Sequence, residues 1–300
     1  MITSTSNIQV KQLVQLQKKS KERTAQDVFV VEGPKMFQEV PQDRLLQVYA
    51  SESFYSKNKE LFGASKPVTV LSDRVFETVS DTRTPQGVLC VVRQYHYGLE
   101  ALLGGAVSGG MAGRSRTDER SGAVPAGTAG MGQKSGPGGV RRQPLLLALE
   151  NLQDPGNLGT IMRTAEGAGV TGILLSSGCV DLYNPKVIRS TMGSIYRMRF
   201  CYTDNFERDL RTLKERGVRL YAAHLQGAVD YDAPDYSQLS CFLIGNESRG
   251  LTEETAALAD TRIRIPMAGR VESLNAAVAS ALLVYEAFRQ RRSQACEKKI

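Results

Sequence analysis

Apolar positions recur in two rhythms along the first hundred residues. In VKQLVQLQKKSKER, Val10, Leu13, Val14 and Leu16 fall at helical spacing and leave a basic outer face, which predicts an amphipathic helix. VFVVEG is a continuous apolar run and predicts a buried strand, with Pro34 opening a helix after it. LLQVYAS and PVTVLS predict two further strands. Ser72 starts a capping-box-like helix in SDRVFETVS, and GVLCVVRQY predicts a last strand. The sum is a small α/β domain over 1–103.

The same alternation returns on a larger scale over 144–300. PLLLALE predicts a strand and 157–168 a helix. The helix stripe of Leu158, Ile161, Met162, Ala165 and Ala168 leaves Arg163 to one side. VTGILLSS predicts a strand, and NPKVIRSTMGSI a helix with Pro185 in its first turn. The helix NFERDLRTLKERG is stopped by Gly217 and followed by the strand VRLYAAHL. CFLIGNES and TRIRIPM predict strands on either side of the helix TEETAALA. SLNAAVASALLVYEAFRQRR predicts a closing helix with an apolar face of Leu274, Ala277, Val278, Ala281, Leu282 and Tyr285. Arg289, Arg291 and Arg292 suit the negative end of that helix's dipole. Strands alternating with helices predict a mostly parallel sheet covered on both faces.

Between the two domains, 104–143 loses all apolar periodicity and is rich in Gly, Ser, Ala and Arg. Such a stretch cannot bury enough surface to offset its ordering entropy, which predicts a flexible linker. It is a passive tether or an arginine-bearing arm that also touches nucleic acid. Of the net charge of +7, this segment holds +4, from six basic and two acidic residues. A basic balance suits a polyanionic partner such as RNA.

Composition removes other classes. Nothing approaches a membrane span or a signal peptide, so a cytoplasmic protein is expected. Cys90, Cys179, Cys201, Cys241 and Cys296 form no C-x-x-C pair and read as reduced thiols. His96 and His224 stand far apart, so no metal is expected.

The glycines of 167–172, G-A-G-V-T-G, formally match a dinucleotide fingerprint. That fingerprint needs a strand before it and a helix after it, with the helix N-terminus facing a pyrophosphate. Here a helix precedes and a strand follows, so Gly167 and Gly169 read as helix-ending residues. Taken singly, Asn157 reads as a helix N-cap, and Arg163 as a solvated arginine paired with Glu166. Two further stretches change this. IGNESRGL puts Gly245, Asn246 and Glu247 directly after a buried strand. IRIPMAGRVESLNAAVAS puts Ser273, Leu274 and Asn275 at the start of the last helix. Ligands of open α/β sheets gather outside the carboxyl ends of strands, so three such clusters suggest one shared site.

Together DPGNLGTIMRTAEGAGV, IGNESRGL and IPMAGRVESLNAAVASALLVYE resemble the three signature motifs of the SpoU/TrmH class of SPOUT RNA 2′-O-ribose methyltransferases. The resemblance covers 144–290, with the motifs in family order. FVVEGPKMFQEV resembles, more loosely, the RNA-substrate-binding domain that precedes the catalytic domain in many members. The resemblance implies an α/β fold with a C-terminal trefoil knot, S-adenosylmethionine as cofactor, and a homodimer formed through the C-terminal domain. It implies rRNA or tRNA as partner, with 23S rRNA favoured.

Residue by residue, it implies cofactor contacts at Gly245, Ile265 and Leu274, with Gly245 allowing close approach of the adenosine. It implies catalytic roles for Asn157, Arg163, Glu247, Ser273 and Asn275, with Glu247 anchoring the arginine or the loop. Arg189, in the family-like NPKVIRSTMGSIYRM, is either a phosphate contact or an ordinary surface arginine. A guanidinium stays protonated, so Arg163 suits stabilisation of a developing alkoxide better than proton abstraction. The alternatives are a noncatalytic RNA-binding protein that keeps the fold and an α/β enzyme for a small nucleotide. The polar residues that fill all three motifs argue against the first, and the reversed glycine context argues against the second.

Overall fold

The computed structural model describes residues 1–63, 67–104, 143–226 and 229–297. The expected linker, apart from its end residues Gly104 and Gln143, lies outside the described residues.

The N-terminal half runs α1 (Ile8–Lys18), α2 (Ser20–Gln26), β1 (Val28–Glu32), α3 (Pro34–Glu39), β2 (Leu45–Ser51), α4 (Glu52–Lys57), β3 (Val68–Leu71), α5 (Asp73–Val79), β4 (Val88–Arg93) and α6 (Leu99–Leu102). Its four strands form a mixed sheet in the order β1-β4-β2-β3, with only β2 and β3 parallel. The single helix expected over 10–23 is two. Lys19 is extended between them, and buried Arg23 donates to the carbonyls of Leu16 (2.7 Å) and Gln17 (3.2 Å). Ser72 precedes α5 without capping it through its side chain.

The second half runs β5 (Leu145–Leu149), α7 (Pro155–Gly167), β6 (Gly172–Ser176), α8 (Pro185–Thr191), β7 (Phe200–Thr203), α9 (Phe206–Glu215), β8 (Arg219–Ala223), β9 (Val229–Asp230), β10 (Ser240–Ile244), α10 (Glu253–Leu258), β11 (Thr261–Arg264) and α11 (Ala276–Glu297). All seven strands pair in parallel, in the order β7-β6-β5-β10-β8-β11-β9. From β5 the chain builds outward through β6 to β7. It then crosses to β8 and returns to lay β10 beside β5, with Ile244 opposite Leu149. The carboxyl ends of β5 and β10 therefore flank the point where the winding reverses, the usual ligand crevice of such sheets.

The closing helix packs through a face rotated from the one expected, with Ala277 common to both. Ala276, Ala277, Ser280, Leu283, Val284 and Ala287 are buried, whereas Val278, Leu282 and Tyr285 are 49%, 36% and 47% exposed. Both stripes are apolar and about one residue apart, so periodicity alone does not choose between them. The expected arginines also lie inside α11 rather than at its end. Arg291 donates to the carbonyls of Tyr236, Gln143, Pro144 and Gln238. Burial pushes its guanidinium down to about 10, which still leaves it charged at neutral pH.

The two halves share a core. Phe29 packs on Tyr183 with ring centroids 4.9 Å apart. The Tyr183 hydroxyl accepts from the Tyr95 amide (2.7 Å) and donates to the Tyr95 carbonyl (3.0 Å). Arg23 reaches across to Asp181 (2.5 Å), and Arg189 to Asp81 (2.8 Å).

Candidate active site

At the end of β5, Asn151 takes a left-handed conformation (φ 53°), which asparagine tolerates better than most residues. It turns the chain over the carboxyl end of the sheet into Asp154. Asp154, not Asn157, is the N-cap of α7. Its Oδ1 accepts from the Asn157 amide (2.7 Å), and Pro155 opens the helix behind it. The Asn157 side chain is thus free for another purpose, and it is buried in the first turn.

Glu247, from the loop after β10, receives that turn. Its carboxylate accepts from the amides of Asp154 (2.9 Å) and Gln153 (3.1 Å) and from Asn157 Nδ2 (3.1 Å). Burial works to raise the Glu247 carboxyl. The donated hydrogen bonds prevail and hold it below the usual range. Asn157 Oδ1 in turn accepts from Asn275 Nδ2 (2.8 Å). Asn275 Oδ1 caps α11 by accepting from the amides of Ala277 (2.9 Å) and Val278 (3.3 Å). The polar chain Glu247–Asn157–Asn275 therefore joins the three motifs, and Glu247 anchors the loop rather than the arginine.

Arg163 lies two turns along α7 from this chain, exposed and without an ion pair among the described residues. The expected pairing with Glu166 is absent, because Glu166 binds Arg197 (2.5 Å) and Ser194 (2.7 Å). Ser273 is exposed, just before Asn275. Arg189 is engaged by Asp81.

Gly245 is buried, but the space it saves is internal. A Cβ there would lie 2.0 Å from the Gly250 carbonyl carbon and 2.1 Å from the Leu251 nitrogen. The glycine lets the Asn246–Gly250 turn close. Ile265 and Leu274 are half-buried, and Ile265 packs on the main core. Between them the chain is irregular and exposed, and among the described residues no backbone N–H from 265 to 275 donates a hydrogen bond. Free main-chain donors flanked by aliphatic surface suit an adenosyl group held mainly by backbone.

One residue of the site was not expected from sequence. Glu150 is buried and accepts from the Thr252 amide (2.8 Å), Thr252 Oγ1 (2.8 Å) and Thr255 Oγ1 (2.6 Å). It fixes the far end of the loop that carries Glu247, while Asn246 Nδ2 fixes the near end through the Asn151 carbonyl (2.7 Å). The signal was a carboxylate closing the otherwise apolar strand PLLLALE. Among the described residues no group of three His, Cys, Asp or Glu side chains is placed to hold a metal, and no helix is long and apolar enough to cross a membrane.

The fold and the joined motifs have the arrangement that the resemblance to the SpoU/TrmH class implies. Residues 144–285 match the model of the SpoU rRNA Methylase family, and residues 7–90 match the model of the MRM3-like substrate binding domain. The chain is 28% identical to the 23S rRNA (guanosine(2553)-2′-O)-methyltransferase RlmP of Bacillus subtilis, over 95% of this chain and 97% of that one. It is 39% identical to an uncharacterized tRNA/rRNA methyltransferase of Synechocystis over 48% of its own length, and spans only 53% of that relative. Among solved structures, an RNA 2′-O ribose methyltransferase superposes with a TM-score of 0.72 at 28% identity, over 97% of this chain and 99% of that one. An AdoMet-bound rRNA methyltransferase from Sinorhizobium meliloti superposes at 0.74 and 28%, over 96% and 97%.

Proposed function

We propose that this protein transfers the methyl group of S-adenosylmethionine to a ribose 2′-hydroxyl of ribosomal RNA, with 23S rRNA favoured over tRNA. The observation that carries this reading is the Glu247–Asn157–Asn275 chain, which rigidly joins the three motifs at the sheet's switch point. Likeness to RlmP along nearly the whole chain, N-terminal half included, supports ribosomal RNA as the target.

S-adenosylmethionine supplies an activated methyl group that needs no metal. Ile265 and Leu274 border the stretch whose free backbone donors hold it, and Gly245 lets the adjoining Asn246–Gly250 turn close. Asn157 and Asn275 are locked in one rotamer each by their mutual hydrogen bond, so they set the position of the first turn of α7 and of the start of α11. Arg163 stabilises the oxyanion that develops as the 2′-hydroxyl loses its proton, and Ser273 orients ribose or cofactor. Glu247 holds the loop in place.

The domains in this reading are 1–103 for RNA binding, 104–143 as linker and 144–300 for catalysis. The protein works in the cytoplasm. It dimerises through the second domain, where the exposed Val278, Leu282 and Tyr285 of α11 offer an apolar face.

Two measurements test the activity. Sites of 2′-O-methylation in 23S rRNA are mapped in cells with and without the gene, and one site should disappear without it. Arg163→Ala should lower methyl transfer about 10²–10³-fold while S-adenosylmethionine still binds by calorimetry. An unchanged methylation map refutes the rRNA assignment, and a fully active variant refutes the role of Arg163.

A further inference from the structure

The stretch FVVEGPKMF has no part in the methyl-transfer site, yet it contains an expensive group. Glu32 is only 9% exposed, and its Oε2 is buried without a hydrogen-bond partner. Burying half a carboxylate unpaired costs stability unless the other half is well used. Its Oε1 accepts from Ser80 Oγ (2.8 Å), Thr82 Oγ1 (3.1 Å) and the Gln86 amide (3.2 Å). All three donors belong to one loop, 80–86, between α5 and β4. Gly33 sits under the same loop at φ 107°, where a Cβ would lie 2.2 Å from Gln86 Oε1. The Glu32-Gly33 pair therefore exists to hold this loop.

The loop touches the catalytic domain. Asp81 on it pairs with Arg189 of α8 (2.8 Å). Helix α8 lies tightly on α7, since a Cβ on Gly159 would be 2.5 Å from Ser190 Oγ and 2.7 Å from the Val187 carbonyl oxygen. Arg163 is one turn beyond Gly159 on α7. Loop 80–86 is thus one helix away from Arg163. At its tip Arg83 is exposed, as is Lys186 on α8, and neither has an ion pair among the described residues. Asp81 is consumed by Arg189, so the unpaired charge offered at this seam is positive.

We propose that loop 80–86 is a phosphate-contacting element for the substrate RNA, with Arg83 as the contacting side chain and Glu32 as the residue that positions it. The proposal rests on the RNA-methyltransferase reading above and names where the N-terminal domain meets the RNA strand that enters the catalytic crevice. A phosphate contact adds affinity without reading sequence, and it appears in the salt dependence of binding.

The test uses the full-length protein and 23S rRNA from cells lacking the gene. Arg83 is exposed, so Arg83→Ala should fold as wild type. It should weaken RNA binding about 5- to 10-fold and reduce the slope of log affinity against log salt by about 0.7 to 0.9. Its affinity for S-adenosylmethionine should not change, and Arg83→Lys should restore most of the RNA affinity. Glu32→Gln should weaken RNA binding in the same direction with cofactor affinity intact. An Arg83→Ala protein with wild-type RNA affinity and salt slope overturns the proposal. A Glu32→Gln protein that binds RNA normally overturns the positioning role. A wild-type protein that fails to methylate this RNA instead overturns the underlying reading, so the two failures are distinguishable.

Discussion

Three hydrogen bonds converge on Glu247 from a turn that lies in another motif. Replacing its carboxylate with an amide puts an N–H against backbone N–H groups. Glu247→Gln should therefore weaken S-adenosylmethionine binding in calorimetry, with a cost of about 1–3 kcal/mol from the unmet donor. The pH dependence has a defined sign. The folded-state value is depressed, so the contribution of Glu247 is complete above the ordinary glutamate value of about 4.3. It is lost as pH falls through the lowered folded value. Wild-type cofactor binding should persist to a pH below about 4.3, and Glu247→Gln should remove this acid limb. Persistence of the same limb in the variant refutes the assignment. At this scale Asn157 was legible as a polar residue of its motif, but its partners Glu247 and Asn275 were not. Asp154 took the capping role that local sequence assigned to Asn157, because the cap geometry falls on the residue before Pro155.

At the scale of elements, close packing of α7 on α8 depends on the missing side chain of Gly159. Gly159→Ala brings a methyl against the Val187 carbonyl and Ser190. The helices must part, at about 1–3 kcal/mol, which a urea melt should detect. Because Arg163 lies one turn further on, methyl transfer should fall more than stability alone explains. Most strands and helices were legible, because runs such as LLLAL and stripes such as Leu158–Ile161–Met162–Ala165 admit one interpretation each. The face of α11 was not. Its sequence offers two apolar stripes, and only contact with α7 and β10 selects Leu283, Val284 and Ala287 over Val278, Leu282 and Tyr285.

The unselected stripe has a consequence for the whole molecule. If it joins two copies, Leu282→Glu combined with Tyr285→Glu should convert a dimer to a monomer in light scattering without changing the circular dichroism spectrum. A wild-type monomer refutes the interface. The proposed linker makes a second claim at this scale: removal of 105–142 should leave the cooperative melt intact, and loss of cooperativity refutes it. The two halves need no such link to hold together, because Phe29, Tyr95 and Tyr183 already bury a shared seam.

The chain's amino-acid order by itself determined most of the elements, the parallel class of the large sheet and the motif residues, since these follow from local periodicity, turn chemistry and residue type; short elements such as β7 and β9 left no such signal. It also gave Arg163 its position off the apolar stripe. Only the tertiary structure decided that β10 lies against β5, which is what brings Glu247 onto Asn157 and Asn275. It also revealed Glu150 and Glu32 as carboxylates that hold loops. Hydrogen bonds between residues distant in the chain leave no periodic trace in sequence. They exist only once strands far apart have been laid side by side.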